Sequence, residues 1–191
     1  MNEDLLDSAA EMLQAGRVAD AADLYHQFLR TNPRHFEALN ALGMIYFQSE
    51  QMDKAQYLLG EALRLDPFAV DIFCIRGVAL VRLNRRPEAL ASFEKALAVQ
   101  PDSIEALCNR ATVLQEMERY DEALAAFDDI LAIRPDHDLS WNNRGTTLLA
   151  LGRAEDALAD FERALALNPN LLEAQVNRDR VAGMLRETNG T

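Results

Sequence analysis

Residues 138–171 read DLSWNNRGTTLLALGRAEDALADFERALALNPNL, and the proline near the end of that stretch, Pro169, decides the fold. Counting back in steps of 34 finds Pro135, Pro101, Pro67 and Pro33, so five of the six prolines stand on one ruler. A fixed period of this length marks an array of small structural units, each burying its face against the next. Setting each proline at position 32 divides the chain into 2–35, 36–69, 70–103, 104–137 and 138–171. An incomplete unit, 172–187, follows, and a short flexible tail is expected over 188–191.

Other columns share the ruler. Position 8 holds Ala9, Gly43, Gly77, Ala111 and Gly145, and position 20 holds Ala21, Ala55, Ala89, Ala123 and Ala157. Position 24 holds Tyr25, Leu59, Phe93, Phe127 and Phe161. Positions 4, 7, 8 and 11 share one face of a helix A, and positions 20, 24, 27 and 28 share one face of a helix B. Small residues at 8 and 20 let the two helices approach, with bulky neighbours filling the space around them. Trp141 reads as such a wedge and Gly145 as such a notch. Each proline lacks an N–H and disfavours helix in the residue before it, so it ends helix B. Pro87, off the ruler, suits the first turn of a helix B, while Gly16 and Gly152 at position 15 suit the tight A–B turn.

Composition agrees. Of the 49% hydrophobic residues, 30 Ala and 29 Leu form the bulk, both strong helix formers, so the chain reads as all-α. A net charge of −12, from 31 acids and 19 bases, excludes a phosphate-tracking surface and disfavours an anionic membrane leaflet. No basic, apolar leader opens the chain and no apolar run approaches a bilayer span. With two cysteines and no disulfide framework, a soluble cytoplasmic protein is expected.

The columns resemble the tetratricopeptide repeat family, whose unit runs Trp-x2-Leu-Gly-x2-Tyr, then Ala-x3-Phe, then Pro. The likeness implies a right-handed α-solenoid of five helix-turn-helix units plus a C-terminal capping helix, eleven helices in all. It also implies a concave groove lined by helix A positions 2, 5, 6, 9, 12 and 13. The partner is then a protein or an extended peptide segment. In the N-terminal half the groove would be apolar, with Leu6, Leu13, Met44, Phe47, Cys74, Ile75, Val78 and Val81. In the C-terminal half it would be neutral and polar, with Asn109, Thr112, Gln115 and Glu116, Asn142, Asn143 and Thr146, then Asn177 in the cap. Asn109, Asn143 and Asn177 share position 6, and amides carry both donors and an acceptor for a peptide backbone. The column is similar to the asparagine ladder of O-linked N-acetylglucosamine transferases, although Asp7, Ala41 and Ile75 interrupt it in the first three repeats. The carboxylate clamp that another subclass uses is not matched.

Arginine recurs at position 7 as Arg76, Arg110, Arg144 and Arg178, bordering the buried stripe. Position 25 supplies the acids, so the pairs Glu94–Arg110, Asp128–Arg144 and Glu162–Arg178 are expected. Arg76 is left over because Gly60 occupies its partner position. Cys74 and Cys108 lie on neighbouring helices whose axes are about 8–10 Å apart, too far for a disulfide. His26, His35 and His137 have no metal-ligand spacing, and no nucleophile and base are aligned by the repeat. The reading is therefore a non-catalytic protein-binding scaffold, with no metal, no cofactor, no nucleic acid and no membrane. Its alternatives are the substrate-presenting arm of a larger enzyme such as a glycosyltransferase, or a structural protein that self-assembles into a homo-oligomer through its apolar N-terminal half.

Overall fold

The computed structural model describes residues 2–189, with side chains described over 4–187. Among the described residues every regular element is a helix: α1 Asn2–Gln14, α2 Val18–Thr31, α3 Phe36–Gln48, α4 Met52–Leu63, α5 Val70–Arg82, α6 Arg86–Val99, α7 Ile104–Glu116, α8 Tyr120–Ile133, α9 Asp138–Ala150, α10 Ala154–Leu167 and α11 Leu172–Asn189. The chain forms two compact units, Met1–Pro101 and Asp102–Thr191. In the first, α1 pairs with α2, α3 with α4 and α5 with α6, and the hairpins join through α2–α3 and α4–α5. In the second, α7 pairs with α8, α9 pairs with α10, and α11 closes on α10.

The turn between the two helices of each hairpin is built the same way five times. The residue at position 15 takes a left-handed conformation, with φ 74° at Gly16, 60° at Glu50, 60° at Asn84, 59° at Glu118 and 76° at Gly152. The next N–H reaches back to position 11, as Arg17 to the Met12 carbonyl at 2.8 Å and Arg153 to the Leu148 carbonyl at 2.9 Å. Gly16 and Gly152 also bond the carbonyls of Leu13 and Leu149, at 3.1 and 3.0 Å. This pair of bonds closes the helix end in a Schellman motif. Two glycines were visible as turn formers; Asn84 adopts the left-handed region readily, but Glu50 and Glu118 hold the same geometry against their own preference.

Packing explains the small residues at position 8. A Cβ at Gly145 would lie 2.7 Å from Phe161 Cε1, and one at Gly43 would lie 2.8 Å from Leu59 Cδ2. Phe93, Phe127 and Phe161 are among the largest fully buried side chains. In the first unit Ala9, Ala21, Tyr25, Phe28, Ala38, Leu42 and Ile45 form one apolar cluster. Helix B stops two residues short of the proline in four of five cases, as at Thr31 before Pro33 and Leu167 before Pro169. Pro87 stands in the first turn of α6, as expected.

One expectation about the C-terminus needs correcting. The helix continues to Asn189, beyond the expected limit at 187, and Gly190 and Thr191 lie outside the described residues. Its apolar residues divide between a packed face and an open one. Ala174 and Val181 are buried, while Leu172 and Val176 are 72% and 67% exposed. Trp141 is also half-buried rather than a core wedge, and its indole N–H donates to the Pro135 carbonyl at 3.0 Å.

Candidate functional site

In the second unit the expected polar groove largely bonds to itself. Asn142, expected to face a ligand, is fully buried. Its amide N–H donates to Asn143 Oδ1 and its Oδ1 accepts from Asn177 Nδ2, both at 3.2 Å. Asn177 and Asn143 therefore spend part of their capacity on Asn142. Gln115 Nε2 donates to Thr146 Oγ1 at 2.7 Å, and the Thr146 hydroxyl donates to the Asn143 backbone carbonyl at 2.8 Å. Asn109 is half-buried and Thr112 exposed. Among the described residues, no side-chain hydrogen bond engages Asn109. Position 5 rather than position 6 carries the linking asparagine, which periodicity alone does not distinguish.

Cys108, Ser140 and His137 also meet in this unit. Ser140 Oγ lies 2.8 Å from His137 Nδ1 and 4.0 Å from Cys108 Sγ. A nucleophile beside a base invites a catalytic reading, but Ser140 is 1% exposed. His137 is occupied as the N-cap of α9, accepting from the Ser140 backbone N–H at 3.2 Å. Burial pushes the Cys108 thiol up, outweighing the Ser140 hydroxyl that pulls it down, so the reactive thiolate is disfavoured. His137 and Ser140 form the N-terminal cap of α9, with the Cys108 thiol of α7 beside it. Neither cysteine is in a disulfide, and no group of three potential metal ligands comes together among the described residues.

The first unit is different. Cys74, expected in the groove, is 1% exposed and closed off. Met44, Phe47, Ile75, Val78 and Val81 remain half-buried. Arg82 stacks over the Phe47 ring at 5.5 Å and is held there by Glu50 at 2.6 Å. Between α3 and α5 lies a hollow of about 540 Å³ lined by Phe36, Asn40, Met44, Phe68 and Ile75, among others. Asn40 lines this hollow, and its side-chain oxygen is buried without a hydrogen-bond partner among the described residues. Register explains the orphan. Asn40 and Asn142 both occupy position 5, and Asn142 is bonded by Asn177 one repeat later. The residue that stands to Asn40 as Asn177 stands to Asn142 is Ile75, which has nothing to donate. Sequence reasoning missed Asn40, although the 35-residue offset carries the signal.

The seam arginines follow their expectation in part. Arg144 bonds Asp128 at 2.6 Å, as expected. A second partner was missed: Asp160, 16 residues on, takes two bonds of 2.7 Å from the same guanidinium. These carboxylates hold the guanidinium proton more tightly than usual, Asp160 contributing most. Trp141 covers the group, its ring centre 4.6 Å from the guanidinium carbon. The expected Glu162–Arg178 pair is not made. Arg178 turns to its chain neighbour Asp179 at 2.6 Å, because the cap has no helix B to hold it in the seam. The pair Glu94–Arg110 takes one residue from each unit.

Comparison with known proteins places this architecture. A family model described as tetratricopeptide repeat matches residues 102–170, and another with the same description matches 6–70, 51–104 and 74–114. Among solved structures, the protein YrrB, described as a TPR protein with an unusual peptide-binding site, is 23% identical with a TM-score of 0.84. The match covers 92% of this chain and 90% of that one. The protein MamA is 21% identical with a TM-score of 0.83, over 88% of this chain and 92% of its own. At such identities the likeness is one of fold.

Proposed function

Because the chain belongs to the tetratricopeptide repeat family, we propose that it is a non-catalytic scaffold that binds an extended segment of a protein partner. The hollow between α3 and α5 is the anchor point. The observation that carries this is the orphan acceptor on Asn40. A buried polar atom left unpaired costs about 1–3 kcal/mol, which a ligand N–H recovers once the Asn40 amide turns its oxygen toward the hollow. The hollow falls in the size range of ligand pockets, and its walls set apolar Phe36, Met44, Phe68 and Ile75 beside three polar residues, Asn40, Asp71 and Gln100. A peptide offers both parts: an apolar side chain to sit against Phe36, Met44 and Ile75, and a backbone N–H for Asn40. Phe47, Val78 and Val81 extend the apolar surface along the same two helices. In the second unit, Asn109, Thr112, Asn143, Thr146 and Asn177 provide weaker polar contacts, because several of their donors and acceptors are already used. The description of YrrB as peptide-binding is consistent with this reading.

The test begins with binding peptides selected from a random display library, then titrated calorimetrically. Asn40→Leu is expected to weaken binding about tenfold, the equivalent of one hydrogen bond in a dry site. The double variant Asn109→Ala/Asn143→Ala is expected to change it less. Equal affinity for wild type and Asn40→Leu overturns the assignment of the anchor.

A further inference from the structure

The repeat supplies its own control for Arg76. Sixteen residues before and after Arg144 stand Asp128 and Asp160, and both carboxylates bind it. Sixteen residues before and after Arg76 stand Gly60 and Ser92. Among the described residues its guanidinium therefore bonds only neutral acceptors, the Ser92 hydroxyl at 2.8 Å and the Gln56 carbonyl at 3.3 Å. Glu88, the carboxylate that favours its charge, is held by Arg85 through two bonds of 2.6 Å. Burial depresses the Arg76 pKa, with Arg85 and Arg64 adding to the effect and Glu88 opposing it.

The missing side chain at position 60 leaves space in front of this cation. A pocket of about 630 Å³ opens between α4, α5 and α6, lined by Tyr57, Gly60, Arg64, Phe73, Arg76 and Lys95, among others. Lys95 lies 6.0 Å over the Phe73 ring, and among the described residues neither it nor Arg76 has a salt-bridge partner. The carboxylate on the lining, Glu61, is taken by Arg64 at 2.5 Å. Tyr57 and Val99 add exposed apolar surface to the wall, at 61% and 38%. Three cations against one acid is the reverse of a chain whose net charge is −12.

We propose that this pocket binds a carboxylate carried on an apolar body, held by the Arg76 guanidinium in the place where Asp128 meets Arg144. A guanidinium presents a planar fork matched to a carboxylate, and Tyr57, Phe73 and Val99 shelter the apolar part. The site is separate from the α3–α5 hollow and stands whether or not that hollow binds peptide.

The experiment follows the Arg76 Nε–H resonance by NMR during titration with three probes. These are acetyl-Leu-Phe with a free C-terminus, acetyl-Phe-Glu amide, and acetyl-Leu-Phe amide as the uncharged control. A saturable shift with an acid and none with the amide is expected. Saturation by the first acid identifies a C-terminal carboxylate, and by the second an acidic side chain. Competition of the same acid against a fluorescent analogue extends the test to variants. Gly60→Asp supplies an internal carboxylate, since a Cβ there lies 3.3 Å from Arg76 Nε, and should weaken binding at least tenfold without lowering the melting temperature. Arg76→Gln should weaken it as much without filling the pocket. Saturation by neither acid, or undiminished binding in either variant, overturns the proposal.

Discussion

Asp160→Ala removes two charge-assisted hydrogen bonds of 2.7 Å from a carboxylate that is 5% exposed. Breaking a buried pair from one side costs about 3–5 kcal/mol, since the surviving charge is left without a partner. Here the survivor, Arg144, is 23% exposed and still holds Asp128, so water and the second acid recover part of the loss. The expected destabilisation is about 2–3 kcal/mol. With a urea slope of about 2 kcal/mol per molar, the midpoint should fall by roughly 1–1.5 M. Asp128 is 55% exposed, so Asp128→Ala should cost no more than about 1 kcal/mol. The double variant Arg144→Met/Asp160→Leu should return to within about 1 kcal/mol of wild type, because it buries no unpaired charge. Trp141, the single tryptophan, lies on the Arg144 guanidinium, so its fluorescence reports unfolding where the change is made. An Asp160→Ala loss below 1 kcal/mol, or one no larger than that of Asp128→Ala, refutes this reasoning.

Two glycines should respond to alanine for different reasons. Gly145→Ala forces a methyl against the buried Phe161 ring and should cost about 1–3 kcal/mol, read by the same urea titration. Gly152→Ala meets nothing within 4 Å, but its φ of 76° should still cost about 1 kcal/mol. A neutral result at either position contradicts the corresponding mechanism. Cys108 has a raised pKa, so at any given pH it holds less thiolate than an ordinary thiol. Its alkylation by iodoacetamide should reach half-maximal rate above pH ~8.5, the ordinary cysteine value, with the modified residue identified by mass spectrometry. Half-maximal reaction at or below that pH contradicts the burial argument.

The helices and their pairing were legible because they depend on column-wide requirements. A proline every 34 residues, a small residue at position 8 and a bulky one at position 24 recur regardless of what surrounds any one repeat. The Asp128–Arg144 bond was legible for the same reason, as both residues belong to recurring charge columns. Asp160 was not, because its column reads Leu24, Leu58, Ser92, Ala126 and Asp160 and shows no charge pattern. Glu50 and Glu118 were hidden as turn residues because tertiary geometry overrides their own conformational preference. Asn142 and Asn143 are adjacent, and only the position of Asn177 decides which of them is enclosed. Asn40 needed one more step, since an orphan acceptor is defined by what its neighbour lacks.

That last residue offers the most direct test. Ile75→Asn places beside Asn40 the amide that Asn177 provides to Asn142, satisfying the acceptor from within the chain. The measurement is the calorimetric affinity of this variant for a peptide selected on the wild-type protein. At least a tenfold loss is predicted, with helical content retained by circular dichroism. Wild-type affinity in the Ile75→Asn protein contradicts the claim that the Asn40 hollow anchors the partner.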